Sequence, residues 1–238
     1  MANNSPEKSH EKRPFTKVHA LILGLIAIVS SLLILKERLL ELIGPFPVSQ
    51  SYESNAITDF SISSNPSKDW SYGYIRSDEN QFRMFELHKI ENGLQMWLPG
   101  EAEPGLSIVK NNSGEKRSFK GGAFYFPTTK LVLHPGKTCS HSTLQWVSPS
   151  DIRVSIKGAF EGLNNEKTGT TTSARIVLNE NTPLWEGNVA GFGAGSEAPF
   201  DIERDVEAGD KVRFIVGCGS DRTYESDSTG LSIIIKEV

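Results

Sequence analysis

The sequence predicts an all-β domain, a two-sheet sandwich, that is preceded by one transmembrane helix. The stretch Val18–Leu35 contains no Asp, Glu, Lys or Arg. The chain after it has many short runs of alternating apolar and polar residues, separated by Gly, Pro, Asn and Asp, and no convincing amphipathic helix. These observations divide the chain into a tail at 1–17, a transmembrane helix with a short extension at 18–43, a linker at 44–56 and a β domain at 57–238.

The apolar stretch is long enough to cross a bilayer. At about 1.5 Å per helical residue it extends over roughly 27 Å, close to the roughly 30 Å of the hydrocarbon core. The helical pattern continues to Ile43 and ends at Gly44 and Pro45. A cleaved secretory signal is the alternative, but large residues followed by Lys36 end the run, whereas cleavage needs small ones. We therefore predict an uncleaved signal anchor in the lipid bilayer.

Basic residues around this stretch predict its orientation. Four of them precede it and two follow it closely: Lys8, Lys12, Arg13 and Lys17 before, Lys36 and Arg38 after. Because the more basic flank of a membrane helix stays in the cytoplasm, the N-terminus is expected there. The C-terminal domain of this single-pass membrane protein is then expected in the periplasm, outside the cell or in a lumen.

The strands of the β domain are indicated by period-two alternation. In Ile152–Phe160, the residues Val154, Ile156 and Phe160 fall on one face, which is expected to enter a core. Candidate strands also include Ile57–Ile62, Trp70–Arg76, Lys211–Val216 and Leu231–Lys236. A continuous run of such strands fits one sandwich better than two small domains.

Several ordered motifs resemble a recurring bacterial domain. They are Ser64-Asn65-Pro66, Trp70-Ser71-Tyr72-Gly73-Tyr74, Leu133-His134-Pro135-Gly136, Trp146-x-x-Pro149, Gly158-x-Phe160-x-Gly162-Leu163, Ala208-Gly209-Asp210 and Asp227-Ser228-Thr229-Gly230-Leu231. That domain is a jelly-roll β-sandwich similar to carbohydrate-binding modules, found in secreted and surface proteins of cyanobacteria and other bacteria. The resemblance implies this fold for roughly 57–238 and carries over no binding residues. The chain departs from the pattern at Ser150-Asp151, where relatives usually have Gly, and at Cys218.

The two cysteines of the chain are a candidate disulfide. Cys139 and Cys218 each follow a predicted strand end in a Gly-containing loop, and an exported domain meets oxidising conditions. A bridge across so long a loop contributes on the order of 4 kcal/mol. The alternative is a pair of free thiols, because sequence alone does not supply the distance between them.

Aromatic residues beside polar loops are candidates for a ligand site. Trp70 and Trp146 lie in alternating strands and are expected in the core. Sugar rings stack their CH faces on flat aromatic side chains, while polar groups bind the hydroxyls. We therefore hypothesise a shallow site formed by Trp97, Tyr224, Asp221, Arg222 and Asn188. The alternative is that these aromatic residues also belong to the core.

A structural Ca²⁺ ion is a second hypothesis. His134 and Asp227, with Asp221 or Glu225, offer an oxygen-rich ligand set at a loop edge. The alternative for Asp227 is a turn in which its carboxylate bonds its own downstream backbone, and His134 then only ends a strand. No other cofactor is indicated.

Composition and motifs exclude several functions. The net charge of −4 argues against a nucleic-acid partner. The motifs of serine hydrolases, zinc proteases and nucleotide-binding enzymes are absent, so no enzyme is predicted. Acids available for glycoside cleavage, which are expected mainly to be solvated, are Glu161, Glu186, Asp201 and Glu203.

The sequence therefore predicts a non-catalytic, membrane-anchored module that binds polysaccharide or envelope glycan. The alternative is a structural or assembly protein that binds other membrane proteins. A stripe of leucines on the helix is compatible with that second function: Leu32, Leu35, Leu39 and Leu42. A glycoside hydrolase is the third alternative.

Overall fold

The computed structural model describes residues 17–43, 51–166 and 168–238. The chain divides into two units, Met1–Gln50 and Ser51–Val238. In the first unit one helix, α1 (Lys17–Ile43), coincides with the predicted helical segment. Among the described residues, no helix has the length and apolar character that crossing a membrane requires. The membrane span therefore stays a prediction, and the tail before residue 17 and the linker residues 44–50 lie outside the described residues.

The second unit is built from short strands. In chain order they are β1 (Glu53–Asn55), β2 (Trp70–Ile75), β3 (Phe82–Met84), β4 (Leu87–Glu91), β5 (Leu94–Leu98), β6 (Ser107–Asn111), β7 (Arg117–Phe119), β8 (Phe124–Phe126), β9 (Leu131–His134), β10 (His141–Val147), β11 (Ile152–Gly162), β12 (Thr170–Leu178), β13 (Thr182–Gly191), β14 (Ala198–Val206), β15 (Lys211–Gly217) and β16 (Thr229–Glu237). Two 3₁₀ turns lie at Lys120–Gly122 and Gly193–Ser196.

The strands form two large antiparallel sheets. The eight-stranded sheet has the order β14-β11-β16-β9-β6-β5-β4, with β1 also paired to β16. The six-stranded sheet has the order β13-β12-β15-β10-β2-β3. Strands β7 and β8 form a separate two-stranded ribbon. The prediction of an all-β, two-sheet sandwich is confirmed.

Alternating side chains from both sheets fill the core between them. Val154, Ile156 and Phe160 of β11 are fully buried there, as their alternation predicts. Trp70 and Trp146, which pair across β2 and β10, are also fully buried. The prediction that these two tryptophans belong to the core is confirmed.

Both core tryptophans need a hydrogen-bond acceptor for the indole N–H, and residues near β1 supply them. The Trp70 N–H donates to the Ser54 hydroxyl at 2.8 Å, and the Trp146 N–H donates to the Tyr52 hydroxyl at 2.7 Å. The Tyr52 hydroxyl in turn donates to Asp69 at 2.7 Å. These bonds hold β1 against the sandwich, so the predicted linker is wrong at its end, where β1 lies.

The predicted strand Ile57–Ile62 is also wrong, because the side chains of Asn55 and Asp59 form hydrogen bonds with backbone N–H groups in and just before this segment and stabilise a turn. The side-chain oxygen Oδ1 of Asn55 accepts from the N–H groups of Ile57 at 2.9 Å and Thr58 at 3.3 Å. The Asp59 carboxylate accepts from the Asn55 N–H at 2.9 Å. Short Asn and Asp side chains can form hydrogen bonds with the backbone in place of a neighbouring strand, and this segment accordingly forms a turn.

Replacing Tyr52 by Phe tests the role of the tyrosine hydroxyl. We expect Tyr52→Phe to lower the free energy of unfolding by about 1–3 kcal/mol, since it leaves the buried Trp146 N–H without its acceptor. Urea unfolding followed by tryptophan fluorescence measures this loss. Tyr125→Phe is the matched control, because no hydrogen bond of the Tyr125 hydroxyl is found in the described part of the chain. Equal losses in the two variants would contradict the assignment.

Candidate functional site

The eight-stranded sheet carries a second apolar cluster on its outer face. Along β6, Ile108 faces the main core, so its neighbour Val109 faces outward, where it is nevertheless buried. Leu94, Val132 and Leu163 are buried with it. The ribbon β7–β8 packs against this cluster through Phe119 and Phe126. Burial of this outer face therefore requires the ribbon, whose first strand sequence alternation does not predict.

A cleft of about 600 Å³ lies beside the ribbon, and we call it the outer cleft. Its lining comes from the sheet face, the ribbon and two loops. The residues that define it are Met96, Val132, His134, Phe124, Glu166 and Tyr224. Lys120, Glu225 and Ser226 also contribute polar groups. The cleft combines half-buried aromatic rings with hydrogen-bonding side chains.

Hydrogen bonds of the segment 163–166 hold the sides of the outer cleft together. The Leu163 carbonyl accepts from the Tyr125 N–H of the ribbon at 3.2 Å, and the Leu163 N–H donates to Ser228 at 2.9 Å. The Ser226 hydroxyl donates to the Glu166 carboxylate at 2.7 Å. The ribbon and the loop that carries Tyr224 are thus connected through one segment.

His134 and Tyr224 meet at one end of the cleft. The His134 Nδ1–H donates to the Pro135 carbonyl at 2.8 Å, because a carbonyl oxygen only accepts. Burial lowers the pKa of His134, so the imidazole is neutral at pH 7 and its Nε2 is an acceptor. The ring of Tyr224 lies edge-on at 6.2 Å between centroids.

Glycine at position 105 permits this approach. Gly105 has a φ of +89°, which L side chains rarely adopt. A Cβ there would lie 2.8 Å from Cδ2 of Tyr224 and 3.1 Å from Nδ1 of His134. Any side chain at Gly105 would therefore displace one of the two rings.

Trp97 is not part of an exposed platform, which corrects the hypothesised ligand site. Its side chain is only 4% exposed, since it lies on the core face of β5. Its indole N–H donates to the Ser61 carbonyl at 2.8 Å, and its ring stacks on Tyr72 with centroids 6.0 Å apart. Trp97 is therefore a core aromatic residue, which is the alternative that the sequence left open.

The other four hypothesised ligand residues lie in different places. Tyr224 lines the outer cleft, whereas Asn188 lines a separate cavity of about 390 Å³ on the six-stranded sheet. The Asp221 carboxylate accepts from the Thr171 hydroxyl at 2.8 Å, and Arg222 is exposed. Neither Asp221 nor Arg222 lines either of these two cavities, so of the hypothesised ligand residues only Tyr224 lies in the outer cleft.

Asp227 is a fully buried carboxylate. Its Oδ1 accepts from the Thr171 N–H at 3.1 Å and lies 3.0 Å from the Thr171 hydroxyl, whose single proton it shares with Asp221; among the described residues its Oδ2 has no hydrogen-bond partner. Burial, with a smaller contribution from Asp221, raises its pKa to about 6. The carboxylate thus bonds to β12 rather than to its own downstream backbone.

The hypothesised Ca²⁺ site stays a prediction. Among the described residues, no three or more His, Cys, Asp or Glu side chains are grouped as metal ligands would be. His134 bonds to Pro135, while Asp227 bonds to Thr171, so these two residues share no partner.

The predicted disulfide is confirmed. Cys139 and Cys218 are bridged, with Cα atoms 5.4 Å apart, and the bridge closes a separation of 79 residues. It connects the loop after β9 to the first residue of the loop 218–228, which carries both Tyr224 and Asp227. The bridge therefore restrains one side of the outer cleft.

Comparisons with known proteins give only distant similarities. No family model and no curated protein sequence matches. Among solved structures, the chain is similar to a family 35 carbohydrate-binding module from Clostridium thermocellum, with 12% identity over 71% of this chain and 99% of that chain, and a TM-score of 0.29. It is also similar to the C-terminal family 6 module of LamC, a laminarinase from Zobellia galactanivorans, with 12% identity, the same coverage and a TM-score of 0.28.

A third similar structure contains the CBM51-2 and INT domains of Clostridium perfringens ZmpB in complex with GlcNAc. The identity is 9%, the TM-score is 0.38, and the match covers 57% of this chain and 29% of that chain. This chain therefore corresponds to less than a third of that one. At such scores these likenesses to carbohydrate-binding modules carry no argument about ligand or site, which depend on the geometry above.

The raised pKa of Asp227 makes stability depend on pH. Its pKa lies at about 6 in the fold against 3.8 ordinarily, so the fold favours the protonated form. Stability is therefore highest below pH 4 as far as this group is concerned, and it falls as the pH rises through 6, by up to about 3 kcal/mol. We expect Asp227→Asn to remove most of that fall in urea unfolding between pH 4 and 8. Exposed Asp201, changed to Asn, is the control, and parallel profiles for wild type and Asp227→Asn would refute the assignment.

The disulfide is expected to contribute to stability through the long loop that it closes. Replacing both cysteines by serine should lower the free energy of unfolding by about 4 kcal/mol. Adding reductant should destabilise the wild type similarly and leave the double variant unchanged. A double variant as stable as the oxidised wild type would show that the bridge is energetically neutral.

Proposed function

We propose that the domain 51–238 binds carbohydrate in the outer cleft without catalysing its cleavage. The observation that carries the proposal is the pairing of the half-buried Tyr224 ring with polar side chains in one cleft. A sugar has apolar CH faces that stack on aromatic rings and hydroxyls that need hydrogen-bond partners. The cleft offers both within about 600 Å³, inside the roughly 300–1,000 Å³ of small-ligand pockets.

The polar groups of the cleft favour a ligand rich in hydroxyls. Glu166 and Glu225 present carboxylate oxygens, and neutral His134 adds an acceptor at Nε2. Hydroxyl groups donate to such acceptors, whereas an anionic ligand would be repelled by the two carboxylates. Lys120 is the complementary donor. A neutral polysaccharide or envelope glycan fits this set best.

The surroundings of the candidate catalytic acids support a non-catalytic role. Glu161 is ion-paired with Lys130, Asp201 with Lys157 at 3.0 Å and Glu203 with Arg153 at 3.1 Å. The fourth acid, Glu186, lines the separate cavity on the six-stranded sheet. None of the four lines the outer cleft, so cleavage of a glycan bound there would need Glu166 and Glu225, and the Glu166 carboxylate already accepts from the Ser226 hydroxyl at 2.7 Å.

We further propose that α1 anchors the domain in a membrane and displays it away from the cytoplasm. Side chains described along α1 are exposed, among them Leu32, Leu35 and Leu39. Exposed leucines on a helix need an apolar environment, which a bilayer or a neighbouring membrane helix provides. The disulfide supports an oxidising compartment for the domain, the periplasm, the cell exterior or a lumen. Lateral association through the same leucines is the basis of the alternative assembly function.

A glycan array tests the proposal. We expect the labelled full chain in detergent to be retained by at least one polysaccharide, and Tyr224→Ala to weaken that retention at least tenfold. Phe192→Ala is the control, because Phe192 is an exposed aromatic residue outside the cleft. Absence of retention on all polysaccharides, or equal retention by Tyr224→Ala, would contradict the proposal. Release of new reducing ends from a retained glycan would instead indicate the hydrolase.

A further inference from the structure

Strand β4 forms an edge of the eight-stranded sheet that lacks the usual protection. All five of its residues, Leu87–Glu91, are exposed. At the opposite edge, β14 exposes the charged residues Asp201, Glu203, Arg204 and Asp205. In the six-stranded sheet, the edge strand β13 contains Pro183 and the edge strand β3 has only three residues. Charge, proline and shortness prevent edges from pairing with other chains, and β4 lacks the last two.

Exposed apolar side chains concentrate at this edge. In β4, Leu87 is 53% exposed and Ile90 is 62% exposed, while Met84 of β3, at the edge of the six-stranded sheet, is 47% exposed. These three lie within seven residues of sequence, whereas the other exposed large apolar side chains of the described domain are Phe192, Ile234 and Val238. Solvated edges of this kind are pairing sites for another strand.

The turn that ends β4 determines which backbone groups are free. Asn92 and Gly93 form a two-residue turn with φ of +51° and +78°, so Glu91 and Leu94 flank it as a pair. The residues that flank such a turn exchange hydrogen bonds, and every second residue does the same. Leu87, Lys89 and Glu91 therefore bond to β5. The N–H and C=O groups of His88 and Ile90 face the open edge, where the described residues supply no partner.

We propose that β4 pairs antiparallel with β4 of a second copy of this chain, about a two-fold axis at Ile90. This register joins the two Ile90 residues as a hydrogen-bonded pair and extends the eight-stranded sheets into one. It places Lys89 of one copy opposite Glu91 of the other, twice by symmetry. The same two residues already form an ion pair within one chain at 2.8 Å, so four alternating charges would meet.

Charge selects this register over its neighbour. A two-fold axis at Lys89 would set two lysines directly opposite each other, and like charges in that position are destabilising. It would also place Leu87 opposite Glu91. A lysine on an edge strand ordinarily prevents pairing. In the Ile90 register, however, Lys89 lies opposite Glu91 of the second copy and stabilises the pair.

Cross-linking of the full chain in membranes tests the pairing. Cα atoms of a hydrogen-bonded pair lie about 5.5 Å apart, within the range that a disulfide spans. Both native cysteines are already bridged, so a new cysteine has no native partner. We expect Ile90→Cys to form an oxidised dimer at least fivefold more than Glu203→Cys, an exposed control on the opposite edge strand. No excess over the control would overturn the proposal, and so would cross-linking of Ile90→Cys to a different protein.

Charge reversal then tests the register in the Ile90→Cys background. Lys89→Glu and Glu91→Lys each place like charges opposite one another, and each should reduce the cross-linked dimer at least threefold. The double reversal restores opposite charges and should recover at least half of the dimer. An amount of dimer that is the same in all charge variants would overturn the proposal and would indicate association through α1. Glycan retention is measured in parallel, so failure of the pairing is distinguishable from failure of the proposed function.

Discussion

The eight-stranded sheet has apolar side chains on both of its faces, and both sets must be buried. At β6, Ile108 enters the core between the sheets, while its neighbour Val109 faces outward and must be covered by something else. The six-stranded sheet buries the apolar side chains of the inner face. The ribbon β7–β8 covers part of the outer face, and the outer cleft lies beside the ribbon. The candidate site therefore exists because the ribbon covers only part of the outer face of the eight-stranded sheet.

The loop 218–228 shows how stability and site geometry are connected. The Cys139–Cys218 bridge holds its start, and the Asp227 carboxylate, bonded to Thr171, holds its end. Between them lies Tyr224, beside His134. Burial disfavours the charged form of this carboxylate, so the contact that holds the end of the loop weakens as Asp227 ionises.

The two edges of the eight-stranded sheet differ in how their charges are arranged. At β14 and along β11, ion pairs such as Lys157 with Asp201 surround the backbone with charge, and exposed pairs of this kind add little to stability. Their value lies in keeping an edge solvated. At β4, the only charges are Lys89 and Glu91, which are complementary to a copy of themselves. The same residue types thus block association at one edge and permit it at the other.

Features that neighbouring residues encode can be predicted from the amino-acid sequence alone. Alternation along β11 predicts which residues enter the core, the apolar run predicts the segment of α1, and two cysteines allow a single bridge. Long-range contacts account for three other features: the burial of Trp97, the position of the first strand at β1 instead of Ile57–Ile62, and the outer cleft. Each of these depends on which strands pair and in which register, as when Trp97 lies opposite Ile108. Contacts between residues far apart along the chain form only after the sheets assemble, and no local pattern records them.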